Sequence, residues 1–143
     1  MRLSQTTSGG TWQTTYLKDP NLNNTTGPTT DIPWFYEGPQ TATFHATEGT
    51  VLASTNFPYN VMATYAGALL FQTALANAGA SPTTQDVYSA LYAMHNETMG
   101  GFAPPLNYTQ GKPTTISCFF VVSIKNGAYV APNGSSTTCQ PAG

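Results

Sequence analysis

A chain of 143 residues with four Lys plus Arg, six Asp plus Glu and a formal net charge of −2 suffices for one ordinary domain with a single core. It carries neither the basic stripe that follows a nucleic-acid backbone nor an acidic tail, so no nucleic-acid partner is expected. Charged residues are only 7% of the chain, and solubility therefore rests on Thr, Ser, Asn and Gln, a balance that suits secreted or extracellular domains.

Met1-Arg2-Leu3-Ser4 leads into polar residues without the apolar core of a signal peptide, and no run is long enough to span a bilayer. Residues 1 to 31 read as loop and turn, because Gly9-Gly10, Asp19-Pro20, Asn21 to Asn24 and Gly27-Pro28 all break regular structure. Ile32-Pro33-Trp34-Phe35-Tyr36 reads as an extended, buried strap, with Pro33 excluding a central strand position. Pro39 to Glu48 suggests a short helix ended at Gly49.

The clearest periodicity runs from Asn60 to Ala78. There Val61, Met62, Tyr65, Ala66, Leu69, Leu70, Thr73 and Ala76 recur at three- and four-residue spacing, and Gly79 takes the residue just past the helix. No Lys, Arg, Asp or Glu occurs from Gly49 through Gln85, which predicts a helix packed on both faces. A second helix opens with Thr83 and Asp86 as a capping box, uses Val87, Tyr88, Leu91 and Met94-His95 as its apolar stripe, and stops at Gly100-Gly101. In Glu97 to Leu106, ETMGGFAPPL, the glycines end the helix and Pro104-Pro105 launch an extended segment.

Ile116 to Ile124 is dense in β-branched and aromatic residues, and Asn126-Gly127 is the type I′ turn pair, so the chain returns through Ala128 to Ala131 as a hairpin. That turn puts position 135 opposite Cys118, and a brief loop would bring Cys139 back to it. A disulfide in an oxidising compartment is the favoured reading of this pair, with two separate buried thiols as the alternative.

Groups able to carry chemistry are few. His45 and Glu48 stand side by side on a helix but make no metal site by themselves. His95 with Glu97 reads as a helix C-terminal interaction rather than a catalytic pair. Nucleophile-elbow, P-loop and GxGxxG patterns are missing, so the expectation is a non-enzyme with no catalytic residue, metal or cofactor. Trp12, Trp34, Phe35, Tyr36, Phe57, Tyr59 and Tyr65 form an aromatic-rich half that suits either a core or a small-molecule cleft.

The order from Tyr59 onward is specific: ATYAGALLFQTALANAG, SPTTQDV, VYSALYAM, NETMGGFAPPLNYTQGKPT, ISCFFVVSIKNGAYV and PNGSSTTC. It resembles the C-terminal part of type I periplasmic solute-binding proteins, the leucine/isoleucine/valine-binding family, in a bacterial branch with a late cysteine pair. Gly100, Gly101, Pro104, Pro105 and Leu106 match the family's turn after the second helix, and Asn126-Gly127 match its hairpin tip. Residues 8 to 58 carry less of the likeness, with Gly9-Gly10-Thr11-Trp12 resembling a cleft loop and Thr29 to Phe35 a hinge crossing.

The resemblance implies an α/β chain that is the C-terminal part of a two-lobe fold, with two packed helices, a terminal β-hairpin and incomplete sheets. It divides the chain into a second-lobe remnant (1–32), a first-lobe return (33–115) and a disulfide-stapled hairpin towards the second lobe (116–143). It also implies an extracytoplasmic, bacterial importer component that closes two lobes on an amino acid or similar polar molecule, working with an ABC transporter permease. Thr11, Trp12 and Tyr36 are its cleft candidates. The alternative is a structural fragment that binds no small ligand and pairs with another chain, or with its own copy, through open sheet edges.

Overall fold

Cys118-Phe119-Phe120-Val121-Val122-Ser123-Ile124 packs β-branched and aromatic residues into one run, which favours a pleated, half-buried strand. In the computed structural model, which describes residues 16–51 and 58–141, this run becomes β2 (Cys118–Lys125). Asn126 and Gly127 both take positive φ, 51° and 76°, as a type I′ turn requires. The chain reverses there into β3 (Ala128–Val130), pairing Lys125 with Ala128 and Ser123 with Val130.

Residues 131–137 then loop out, and β4 (Thr138–Cys139) rejoins the same strand with Cys139 opposite Cys118. The two cysteines are joined by a disulfide. The hairpin register alone would place position 135 there, so the loop takes up the difference before the staple closes.

The stretch read as breakers also contains a strand. Thr26–Thr29 forms β1, antiparallel to the other side of β2, with Gly27 opposite Val122 and Pro28 opposite Val121. Thr-Gly-Pro-Thr has little strand propensity of its own, but an edge strand tolerates a proline lacking its N–H. Pairing is supplied from outside: Asn24 N–H donates to the Ile124 carbonyl (2.7 Å), Ile124 N–H donates to Thr25 (2.9 Å), and the Thr26 and Ser123 hydroxyls meet at 2.9 Å. Among the described residues the sheet is antiparallel throughout.

One face of β2 builds the core. Phe120, Val122 and Ile124 are buried; Phe120 joins a cluster with Ile32, Trp34, Phe44, Met62, Ala66, Met99, Phe102 and Leu106, and Ile124 joins Leu17 and Leu22. The Ile32–Tyr36 strap is buried as the sequence suggests, with Ile32 N–H donating to Phe102 (2.9 Å). It is not extended throughout, because Tyr36 N–H donates to Pro33 (2.9 Å) and turns the chain at Trp34-Phe35.

Three helices depart in detail from expectation. The first, α1, spans Ala42–Val51 and runs through Gly49 instead of ending there; a glycine inside a helix costs only about 1 kcal/mol and does not force a stop. The second, α2, spans Pro58–Asn77, with Pro58 at the first helical position and Gly79 at φ 98° beyond its end. It does not bury both faces: Met62, Ala66 and Ala74 face inward, while Phe71 and Leu75 are exposed. Lack of charge marked that outer face as packed, yet Ala, Thr and Gln occupy much of it without burial.

The third helix, α3 (Thr84–Tyr92), carries the predicted capping box in full. Asp86 N–H donates to Thr83 Oγ1 (3.3 Å), and Thr83 N–H donates to Asp86 Oδ2 (2.8 Å). The Thr83 hydroxyl (2.6 Å) and then the Thr83 N–H, both donating to Asp86 Oδ2, hold the Asp86 carboxyl below the ordinary range. The helix ends well before Gly100, because the Glu97 and Leu106 backbones exchange two bonds of 2.9 Å and draw the chain aside. Met94 is buried, but beyond the helix rather than on its stripe, and Tyr88 is exposed. Gly100 and Gly101 (φ 71° and 99°) instead shape the short 3-10 turn Met99–Gly101.

Thr83→Ala is expected to lower unfolding stability by about 1 kcal/mol in a urea titration at neutral pH. Asp86 has a lowered folded pKa, so its contribution is present above the unfolded value and fades as pH falls through the folded one. Replacing both cysteines by serine should cost about 3 kcal/mol by the chain-entropy estimate for a loop of this size, read as a lower urea midpoint than that of the oxidised chain.

Candidate functional site

Of the three cleft candidates, Thr11 and Trp12 lie outside the described residues, as do Phe57 and the side chain of Tyr59. Tyr36 is described, and a local network holds it. The Thr41 hydroxyl donates to the Tyr36 carbonyl (2.6 Å) and accepts from Gly38 N–H (3.2 Å). His45, one turn into α1, places Nε2 3.1 Å from the same carbonyl. A carbonyl only accepts, so this contact requires the proton on Nε2.

The Tyr36 ring lies between two glycines. A Cβ at Gly38 would come within 2.5 Å of its Cε1, and one at Gly134 within 3.4 Å of its Cε2. Gly134 belongs to the loop that the Cys118–Cys139 disulfide closes. Tyr36 is therefore half-buried where the strap, the start of α1 and the stapled loop meet. The tyrosine and the cysteine pair are each legible in the sequence, but the approach of Tyr36 to Gly134, in the loop that the pair closes, has no sequence signal.

His45 Nε2 faces backbone, and the Glu48 side chain lies outside the described residues, so the His45–Glu48 pair lies outside them too. His95 is exposed three residues past α3, which displaces it from the helix end assigned to it. Its neighbour Glu97 accepts Met99 N–H at Oε1 (2.6 Å), steadying Met99 at φ 51°. Among the described residues no three His, Cys, Asp or Glu side chains converge as metal ligands, and no helix is long and apolar enough to cross a membrane.

The aromatic half divides. Trp34 is core, and Tyr65 packs edge-on to Phe44 (5.3 Å between centroids) and beside Phe102 (5.3 Å). Phe35 stacks on Tyr129 at 5.6 Å, and Trp34 meets Tyr129 edge-on at 5.1 Å. Tyr129, which the sequence places on the returning strand of the hairpin, stands opposite Ile124 on the core side of the sheet. Burial pushes its hydroxyl up to about 12, so at neutral pH it presents a protonated phenol.

Two further polar groups lie close to this region in the chain. Burial raises the Asp31 carboxyl above its ordinary value. Gln40 Oε1 is enclosed without a hydrogen-bond partner among the described residues, and its Cγ lies 3.0 Å from where a Cβ on Gly101 would stand. Trp34, Phe35 and Tyr129 pack on one another as part of the core, with Asp31, Tyr36 and Gln40 near Trp34 and Phe35 in the chain.

Comparison with family models, with curated proteins and with solved structures finds no match to this chain.

The raised folded pKa of Asp31 fixes a sign. Its neutral form is favoured by folding, so that contribution is complete below the unfolded value of 3.8 and is lost as pH rises through the folded one. Asp31→Asn should therefore raise the thermal midpoint at pH 7 and leave it nearly unchanged at about pH 3, where the carboxyl is already protonated. An equal change at both pH values would refute desolvation as the cause.

Proposed function

We propose that this chain is the C-terminal part of an extracytoplasmic solute-binding protein of the leucine/isoleucine/valine-binding type. Its ligand is an amino acid or a similar small polar molecule, and it is delivered to an ABC importer. What supports the reading is that α2, the capped α3, the Met99 to Leu106 turn and the disulfide-closed hairpin come in the order that the sequence resemblance implies. Of the cleft candidates that the resemblance implies, Tyr36 is the one among the described residues; in this reading it contacts the ligand, and the complete protein works by a ligand-driven shift between open and closed lobes.

A second reading has its own observation. On β2 the outward side chains Phe119 and Val121 are half-buried and line a recess of about 300 Å³ with Thr26, Gly27, Pro28 and Gln140. A strand apolar on both faces belongs between two layers, and among the described residues only one of those layers is packed. In this reading the chain is a structural piece that pairs with another chain through that side of the sheet and binds no small ligand.

Thermal unfolding against a panel of amino acids and short amides separates the two. A true ligand at about 100 times its dissociation constant adds roughly 2.7 kcal/mol, so one chemical class should raise the midpoint while the others do not. A flat response across the panel overturns the binding reading in favour of the structural one.

A further inference from the structure

The Cys118–Cys139 disulfide joins residues directly opposite each other on β2 and β4. Cys139 is exposed and Cys118 half-buried, so a thiolate from solvent reaches one sulfur more readily than the other. Beside the sheltered sulfur, the Ser117 hydroxyl stands 3.9 Å from Cys118 Sγ. A disulfide sulfur carries no proton, so the hydroxyl is the donor. Exposure and a well-stabilised leaving thiolate are what make a disulfide labile instead of purely structural.

What the bond holds is local. Strand β4 is two residues long, and past it Gln140 N–H donates to the Ser117 carbonyl (2.8 Å). The loop between β3 and β4 keeps its shape through its own bonds: Gly134 N–H donates to Ala131 and Ser136 N–H to Asn133 (3.0 Å each), and Asn133 Nδ2 donates to Thr138 Oγ1 (3.2 Å). That loop sets Gly134 against the Tyr36 ring, whose Cε2 lies 3.4 Å from where a Cβ on Gly134 would stand. The pairing of β2 with β1 and β3 and the packing of Phe120 do not involve Cys139. A short edge segment with few ladder bonds opens at lower free energy than the core it lies on.

We propose that this disulfide is a redox latch: a dithiol reductant opens it in the folded protein, and the stapled loop then leaves Tyr36. The reductant's thiolate attacks Cys139 Sγ and forms a mixed disulfide, while Cys118 departs as a thiolate that the Ser117 hydroxyl stabilises. The reductant's second thiolate then displaces Cys139 and closes the reductant's own disulfide. Two electrons pass from the dithiol to the protein, and Cys118 and Cys139 take up the two protons that the dithiol gave up. Strand β4 loses its covalent tie, and access to the Tyr36 ring follows the oxidation state of the pair. This coupling concerns the exposure of the ring and stands whether or not Tyr36 meets a ligand.

Titrating the oxidised full chain with dithiothreitol in native buffer, with thiols trapped by iodoacetamide and counted by mass, tests the opening. Nitration of Tyr36 by tetranitromethane after that trapping, mapped on peptides and scaled to the exposed Tyr88, tests the release. Both cysteines should be trapped while circular dichroism keeps its folded signal, and Tyr36 nitration should rise from well below the Tyr88 level to about that level. The double variant Cys118→Ser, Cys139→Ser, which carries no trapping groups, should nitrate at Tyr36 like the reduced chain. Ser117→Ala should slow reduction by up to about tenfold, as loss of one hydrogen bond to a charged sulfur does, and an unchanged rate overturns the stated direction of attack. A bond that yields only in urea overturns the proposal, and so does reduction that unfolds the whole chain, since either makes it a global staple. Reduction that leaves Tyr36 as protected as before overturns it equally.

Discussion

Among the described residues the whole sheet is organised by the single strand Cys118–Lys125. It pairs with Thr26–Thr29 on one side and with both Ala128–Val130 and Thr138–Cys139 on the other. Of its inward side chains, Phe120 packs with the strap, α1 and α2, Ile124 packs with Leu17 and Leu22, and Val122 is buried. A one-residue slip in such a strand would turn those three outward. The Asn126-Gly127 turn and the Cys118–Cys139 bond pin its two ends against that slip.

From that strand the contacts radiate outward. Phe102, reached after α3 and the glycine turn, accepts from Ile32 N–H and fixes the strap. The strap delivers Trp34 and Phe35 against Tyr129, and Tyr36 against the stapled loop at Gly134. Geometry at Tyr36 thus depends on the register of a strand more than eighty residues later. In the binding reading, this is how a tail segment fixes a cleft residue without touching the ligand itself.

Local chemistry is what the sequence made readable. The Thr83–Asp86 box, the Asn126-Gly127 turn and the periodicity of Asn60 to Ala78 each need only neighbours a few residues away, and each stands close to where it was expected. Features set by distant partners were hidden. Thr26–Thr29 becomes a strand only because β2 offers it an edge, and α3 ends at Tyr92 because Glu97 pairs with Leu106. Likewise, the chargeless stretch around α2 implied burial, yet Phe71 and Leu75 stay exposed, since missing charge does not specify a covering layer. At the candidate site, Tyr36 and the cysteine pair were visible singly, whereas Tyr129, Gly38 and Gly134 join them only in three dimensions.

Native-state hydrogen exchange, followed amide by amide, tests the central role of β2 most directly. If the rest of the structure hangs from this strand, the amides of Phe120, Val122 and Ile124, together with Ile32, should exchange only through global unfolding. The amides of α3 would open earlier, through local fluctuations. Exchange of β2 that is faster than that of α2 or α3, with the helices keeping their protection, would contradict the account.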